Sequence, residues 1–581
     1  MTTWQQREQA RDILSREVGA IRKPHHQRLR VALAFPNSYF VGMSILGFQT
    51  AYRLFNEPDD VVCERVFLPP RQELPQWLAA GRRLKTIESQ TALHQFDVIA
   101  FSVSFEWDYT NLVTMLRLAG LPPRAEERQA RYPLVVLGGA VSFLNPEPLA
   151  PFVDVVCAGE GEVLVPELLD AVRSAGSREA LLRDLAFRPG MYVPALVNVT
   201  YDTTGTLQAF TPAHEGIRVP VRKAVLRSPA FTDPPATTVF TPDTEFGSRL
   251  LVEVVRGCAN LCRFCWAGYN YLPVRPFDAD RILAIAEAAR GHSSRAGLVS
   301  IALCDHPEIE RILSRLVEMG YSISPASLRL DDLTPAIVRL LRASGERSIT
   351  IAPETGSDRL RRVINKTVTN EQILDRAELV FDSGIENLKL YYMLGLPTET
   401  DEDLVAIREL TVALRERMLR HARGRGTVGR IVASVNPLVP KPGTAYQWWP
   451  MEAQAATERK MKRLRQLVSG LDNVYFTIKS ERHSYYQALL SLGDRRVAAV
   501  IEAAERNGGQ WRAAAAEAGV DPDWYVFRDR SDDPILPWDV LDGGVKASFF
   551  RAEFARGLDA RWTVRGTSAA DAAPGGAVTP P

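Results

Sequence analysis

Twice along this chain, short apolar runs alternate with stretches of helical character, and that pattern constrains the fold more than any other feature. From Leu29 the runs LRVALAFPN, VVCERVFLP, FDVIAFSVS, YPLVVLGG and VDVVCAGEGE are separated by helix-like segments, among them Leu46 to Leu54 and Asn111 to Ala119. A second series starts at RLLVEVVRG and continues through LVSIAL, YSISPASLRL, SITIAPETG, IENLKLYYMLG and RIVASVNPLVP. Short apolar strands connected by helices require a mostly parallel sheet covered on both faces. Ligands of such sheets lie beyond the carboxyl ends of the strands. The pattern predicts an α/β protein: a Rossmann-like sheet over residues 29–188, then a partial or complete α/β barrel over residues 248–450.

The remaining segments frame these two units. Residues 1–28 form a polar, helical lead-in arm that ends in the basic turn of Lys23, Pro24, His25 and His26. Residues 189–247 are rich in Pro and Thr and form a connector, with a β-hairpin expected at TYDTTGTLQAF because Asp202 and Gly205 supply turn chemistry. Residues 451–562 form a charged helical extension. Residues 563–581 contain little that can enter a core and are expected to be disordered.

A chain of 581 residues with a formal charge of +1 has no general attraction for nucleic acid, and no concentrated aromatic-basic surface is visible. Six cysteines in that length do not make a secreted disulfide framework. No basic-then-apolar leader precedes the first strand, so a cytoplasmic location is expected. The longest apolar runs fall short of the roughly twenty residues that span a bilayer, so no membrane span is expected.

Half of the cysteines fall in one stretch, RGCANLCRFCWAG, residues 256–268. Cys258, Cys262 and Cys265 are spaced by three and then two residues, on the loop that follows the first strand of the second series. Three thiolates on one tight loop can ligate three irons of a cubane cluster and leave the fourth iron for another ligand. The alternatives are a structural zinc with a distant fourth ligand, or buried unliganded thiols. Zinc would most simply bring a second Cys or His pair, and the only later cysteine is Cys304. His94, His306 and Cys304 read more simply as loop or packing residues.

With Arg256 and Gly257 before it and Phe264 between its last two cysteines, the triplet resembles the cluster motif of the radical S-adenosylmethionine (SAM) enzymes. The resemblance implies a [4Fe–4S] cluster on Cys258, Cys262 and Cys265 whose free iron is chelated by the amino and carboxylate groups of SAM. Electron transfer then cleaves a carbon–sulfur bond and releases a 5'-deoxyadenosyl radical. TIAPETGSDRLRRVINK, residues 350–366, resembles the family's SAM-binding segment and implicates Glu354 and Gly356. KLYYMLGLPTETDED, residues 389–403, matches another family segment, in which Gly395 would admit the adenosine close to backbone. Arg329 would pair with the SAM carboxylate; an ordinary salt bridge is the alternative.

The first unit resembles the cobalamin-binding domain that precedes the barrel in one large subclass. Its usual signature is Asp-x-His-x-x-Gly; here Asn37 stands at the first position, Tyr39 at the histidine and Gly42 at the glycine. The resemblance therefore implies cobalamin held without a histidine on cobalt. Ser102 and Ser104 would meet the displaced nucleotide tail, Gly138 and Gly139 would permit close approach of the ligand, Gly159 and Gly161 would cradle it, and Arg65 would approach the lower face of the corrin. The alternatives are a flavodoxin-like lid without a ligand and, for Arg65, a surface pair with Glu64 or another acid. PNSYFVGMSILGFQTAYRLFN, NPEPLA, VNPLVPKPGTAYQW and LLSLGDRR resemble a widespread bacterial and archaeal subgroup whose reactions are poorly defined, over approximately residues 29–560. In VNPLVPKPGTAYQW, Asn436 and Lys441 would meet polar groups of a substrate, and Tyr446 or Trp448 would cover an aromatic one; a rigid sealing loop is the alternative.

These resemblances imply a cobalamin-dependent radical SAM methyltransferase that moves a methyl group from SAM to a carbon centre. A radical rearrangement, cyclisation or ring contraction is the second reading, and a non-enzymatic cluster protein the third. Methylthiotransfer normally wants a second cluster, for which the first unit offers only Cys63 and Cys157. The expected partners are an unidentified small-molecule or peptide substrate and an electron donor such as flavodoxin or ferredoxin. No catalytic residue is assigned.

Overall fold

The computed structural model describes residues 3–229, 232–326, 328–330, 333–423 and 426–563. Of the tail expected to be disordered, residues 564–581 lie outside the described residues. The first unit is a sheet of five parallel strands, β1 (Leu29–Phe35), β2 (Val61–Phe67), β3 (Val98–Ser102), β4 (Leu134–Gly138) and β5 (Val155–Cys157), in the order β2-β1-β3-β4-β5, with β6 (Met191–Tyr192) antiparallel at the edge. The strand order reverses between β1 and β3, which opens a crevice at their carboxyl ends.

Both faces of this sheet are covered, as its near-continuous apolar strands require. On one face Leu33, Ala100 and Val136 pack with residues of the helices Leu46–Asn56 and Gly161–Ser174. On the other, Ala34, Phe101 and Leu137 join a core that includes Leu116 of helix Tyr109–Ala119 and Leu489 and Ile501 of the C-terminal helices Glu481–Leu492 and Val497–Arg506. Arg117 and Arg124 pair with Glu505 and Glu502 at 3.0 and 2.6 Å. The C-terminal extension thus closes the second face of the first sheet.

The N-terminal arm is helical over Thr3–Ser15 and then extended, exchanging backbone hydrogen bonds between Val18 and Phe240 at 2.9 and 2.8 Å. The connector carries the expected hairpin, β7 (Val197–Tyr201) with β8 (Leu207–Pro212). At its turn the Asp202 carboxylate accepts the Thr204 and Thr206 N–H groups at 2.8 and 3.0 Å, and Gly205 adopts φ +86°. A short strand, β9 (Val221–Arg222), pairs with Leu541–Asp542.

The second unit is two parallel half-sheets. One contains β10 (Leu250–Arg256), the short antiparallel β11 (Arg275–Pro276), β12 (Arg295–Ser300) and β13 (Ser322–Pro325); the other contains β14 (Ser348–Glu354), β15 (Asn387–Leu394), β16 (Ile431–Pro437) and β17 (Val474–Ile478). Strand β17 lies beyond residue 450, where the barrel was expected to end, and pairs with β16. VYFTI is short and sits between two charged helices, which hid it in the sequence.

The second half-sheet is covered on one face only. In β15, Leu388, Leu390, Tyr392 and Leu394 are buried, whereas Lys389 and Tyr391 are exposed; in β16, Ile431, Ala433 and Val435 are buried while Val432, Ser434 and Asn436 are half-buried. Side chains alternate across a strand, so this pattern leaves an accessible concave face.

Candidate functional site

The cysteine loop begins where β10 ends. Gly257 has φ +96°, and a Cβ there would come within 2.6 Å of the Tyr271 carbonyl, so the turn into the loop demands glycine. Cys258 and Cys262 are buried and Cys265 is half-buried, and all three line one cavity of about 160 Å³ together with Ile301, Arg329, Glu354 and Lys366. Burial pushes the Cys262 thiol up to about 12 and raises that of Cys265. The thiolates of these two would therefore need a nearby cation to form. Among the described residues no three His, Cys, Asp or Glu side chains gather around a single metal ion's position, whereas a cubane cluster would take each thiolate on a separate iron.

The loop is held from outside by residues absent from the sequence reading. The Asn365 amide donates to the Asn260 and Leu261 carbonyls, each at 3.2 Å. Arg263, fully buried, donates to the Arg362 and Val363 carbonyls at 2.6 and 3.1 Å and pairs with Glu553 at 3.0 Å. CRFC itself displays Arg263, but a partner 290 residues later leaves no local signal.

Of the residues expected near SAM, Glu354 and Arg329 reach this cavity and Gly356 and Gly395 are not among its lining residues. Glu354 sits at φ +65° with Lys366 Nζ at 3.5 Å. Arg329 pairs with Asp305 at 2.7 Å and donates to Asn260 at 3.2 Å, so a protein carboxylate already occupies the partner role expected of SAM. A Cβ on Gly356 would fall 2.1 Å from the backbone of Ala406, which makes it a strand-to-helix packing glycine. Gly395, at φ +76°, donates its N–H to Glu399 at 2.8 Å and faces Glu452, so its conformation serves a turn.

A second cavity, of about 470 Å³, lies between the carboxyl ends of the first sheet and the barrel. Ser102, Ser104, Gly138, Gly139, Gly159 and Gly161 all line it, facing Glu253, Arg256, Gly257 and Ile301 of the barrel. The reason for two of these glycines differs from the expectation. Gly139 (φ +90°) and Gly159 (φ +134°) would place a Cβ 2.4 Å from the Val103 carbonyl and 2.2 Å from the Ala224 carbonyl, so each permits contact between protein segments.

Tyr39, Gly42 and Arg65 do not line this cavity. The Tyr39 hydroxyl donates to Glu17 at 2.6 Å and its ring lies edge-on to Phe67. A Cβ on Gly42 would come within 2.5 Å of Phe67, so it lets the short helix Tyr39–Met43 approach the sheet. Arg65 is wholly buried between Glu17 of the arm and Glu88, each at 2.7 Å, which corrects both its expected place beneath a corrin and its alternative as a surface pair.

The wall between the two units is charged. Arg256, two residues before Cys258, pairs with Glu253, Glu162 and Glu160 at 2.6, 2.8 and 3.0 Å, and Arg275 holds Glu160 at 2.7 Å. Burial works to raise the Glu160 carboxyl, but Arg275 and Arg256 outweigh it and hold it below its ordinary range. AGEGE thus contributes glutamates as well as glycines, which the sequence reading missed.

A third cavity, of about 340 Å³, opens at the ends of β14, β15 and β16 and includes Tyr391, Met393, Asn436 and Lys441. It shares Phe264, Ala352 and Glu354 with the cysteine cavity, which in turn shares Ile301 with the large one. The three adjoin one another through these shared residues. Tyr446 and Trp448, expected over a substrate, are instead buried: the Tyr446 hydroxyl donates to the Val363 carbonyl at 2.6 Å and the Arg551 guanidinium lies 4.2 Å from the Trp448 ring centre. Among the described residues no helix is long and apolar enough to cross a membrane.

Residues 47–194 match the family model for radical SAM proteins, N-terminal, and residues 252–411 match that of the radical SAM superfamily. Two separate stretches of the chain are thus similar to radical SAM proteins. It is 26% identical over 475 residues to an uncharacterised protein of Methanocaldococcus jannaschii, covering 81% of this chain and 90% of that one. It is 23% identical over 282 residues to an uncharacterised methyltransferase of Pyrococcus horikoshii, covering 47% of this chain and 56% of that protein. Among solved structures it is similar to the radical SAM methyltransferase TsrM from Kitasatospora setae with cobalamin and a [4Fe–4S] cluster bound, at TM-score 0.46 and 14% identity over 92% of this chain and 99% of that one.

Proposed function

We propose that this protein is a cobalamin-dependent radical SAM methyltransferase that transfers a methyl group from SAM to a carbon centre. The observation that carries the reading is the series of three adjoining cavities, with the cysteine trio in the middle one. Cys258, Cys262 and Cys265 would hold a [4Fe–4S] cluster, and Glu354, Lys366 and Arg329 line the space in which SAM would meet it. The 470 Å³ cavity at the strand-order reversal would take part of cobalamin, with the Ser102 and Ser104 hydroxyls toward its tail. When bound, the cluster supplies the electron for SAM cleavage and cobalamin the methyl carrier.

The chain's own residues do the rest. Asn365 and Arg263 hold the cysteine loop in one conformation, and the Arg256 network joins that loop to the wall of the large cavity. Burial of Cys258 and Cys262 would limit the access of bulk water to the reactive centre. The methyltransferase description of the Pyrococcus horikoshii relative agrees with this reading. An electron donor such as flavodoxin or ferredoxin, in a cytoplasmic setting, completes the proposal.

The test is anaerobic reconstitution with iron, sulfide and hydroxocobalamin, then turnover with methyl-labelled SAM and substrates drawn from the gene neighbourhood. The expected outcome is about four irons per chain and label in a carbon-bound methyl group. Consumption of the true substrate without entry of label would sink methyl transfer and favour rearrangement or cyclisation.

A further inference from the structure

The cavity at the ends of β14, β15 and β16 has a composition that selects among ligands. Its two charged side chains are already paired within the protein: Lys441 is held by Glu106 and by the Ser491 hydroxyl, and Glu354 faces Lys366 at 3.5 Å. Glu106 is buried and Lys441 half-buried; burial works to raise the Glu106 carboxyl, but Lys441 outweighs it and holds that carboxyl below its ordinary range. A charged ligand would have to open one of these pairs and leave a buried partner uncompensated. Asn436 is different. Its side-chain oxygen is buried, and among the described residues it has no hydrogen-bond partner. A buried amide left unpaired is costly, and such groups in a cavity are most simply completed by what binds there. Around it stand the exposed ring of Tyr391, the ring of Phe264 and the thioether of Met393, surfaces that favour a flat apolar body.

We propose that this cavity is the substrate site and that it takes a small neutral molecule, or the end of a larger one, in which an amide-type edge on a flat ring pairs with the Asn436 carboxamide. The inference rests on the methyltransferase reading only for the word substrate. A carboxamide presents a donor and an acceptor side by side, so it complements an amide or lactam edge whichever way round it lies. A carboxylate of the same shape offers acceptors alone. The volume, about 340 Å³, suits a single ring system with its substituents. Phe264 and Glu354 belong to both this cavity and that of the cysteines, so a bound ring would lie next to the cysteine loop.

Nicotinamide and benzoate separate these chemistries, being alike in shape and differing in amide and carboxylate. Saturation-transfer NMR on the full-length, anaerobically reconstituted protein measures both. Nicotinamide is expected to bind at least about tenfold more tightly than benzoate, and Asn436→Leu to weaken nicotinamide by roughly five- to tenfold, the effect of one lost amide pairing. Tyr391→Ala, at an exposed position that the fold does not need, is expected to weaken nicotinamide without changing the preference over benzoate. Equal binding of the two probes, no binding of nicotinamide, or nicotinamide binding unchanged in both variants would each overturn the proposal. Because the measurement needs no turnover, its failure leaves SAM cleavage and methyl transfer standing. Failure of methyl transfer likewise leaves the binding preference intact.

Discussion

Strands β2 and β15 have the same parallel geometry and opposite uses. In VVCERVF every residue is buried, the sheet having helices on both faces; in NLKLYYML burial alternates, because only one face has a cover. A sheet closed on both sides can meet a ligand only over its strand ends, where loops such as GGA and AGEGE lie. A half-barrel open on its concave side can also present side chains from within its strands, as it does with Tyr391 and Asn436. The two units therefore divide the work: backbone and hydroxyls at the edge of one, shaped and polar side chains on the inner face of the other. What joins them is the cysteine loop and the charged wall behind it.

The strongest test of that division is Cys262→Ala. Iron–sulfur absorbance and reductive SAM cleavage should be lost completely, while binding of hydroxocobalamin by the sheet side persists. Loss of both cofactors together would show that the two units are not independent. Arg256→Gln comes next, since it removes the cation shared by Glu160, Glu162 and Glu253, of which Glu160 keeps Arg275. Removing one member of a buried ionic network costs about 3–5 kcal/mol, which urea unfolding would register; a loss below about 1 kcal/mol would mean that the wall does not hold the units together.

The sequence made the division only partly legible. The two βα series, the hairpin at Asp202 and the compact cysteine triplet are local patterns, and local patterns survive in a single sequence. The residues Ser102, Ser104, Gly138, Gly139, Gly159 and Gly161, singled out by a resemblance, all line the large cavity at the strand ends. Tyr39 and Arg65 do not. Their surroundings are set by Glu17, which the extended arm brings back onto the sheet, and by Glu88 from the loop beyond β2. Tyr446 and Trp448 were misread because a Pro-rich loop of aromatics looks alike whether it covers a ligand or a helix; here Phe554 packs against both. Five residues of alternating VYFTI gave too little periodicity to reveal β17.

A smaller effect separates the regions by pH. Asp108, beside the sheet's strand ends, accepts from Asn37 and Asn111 through one oxygen at 2.8 and 3.3 Å, while its other oxygen, buried, has no partner among the described residues. Burial pushes its carboxyl up to about 6, against the donations of the two amides. The folded chain therefore holds a proton that the unfolded chain releases near 3.8. Stability from this group is complete below that value and falls as pH rises toward about 6, a total of about 3 kcal/mol. Asp108→Asn should flatten this slope in urea midpoints measured across that range. An unchanged slope would assign the pH dependence to other groups.

The smallest effects come from two neighbouring glycines and refine the account of the sheet edge. Gly139 is left-handed and would drive a Cβ to 2.4 Å from the Val103 carbonyl, whereas Gly138 lacks a left-handed φ and its nearest obstacle, the Phe101 carbonyl, is 3.7 Å away. Gly139→Ala should therefore cost about 1–3 kcal/mol through strain and overlap alone, lowering the urea midpoint whether or not a ligand is present. Gly138→Ala should leave stability within about 0.5 kcal/mol, because its new methyl group fits the protein. Both residues line the 470 Å³ cavity, so the added methyl at Gly138 would act on whatever occupies that space. Hydroxocobalamin retention on gel filtration should fall in Gly138→Ala while its unfolding curve overlays that of the parent. If retention is unchanged in this variant, the Gly138 side of the cavity does not touch the cofactor, and the edge of the sheet contributes less to binding than the division of labour requires.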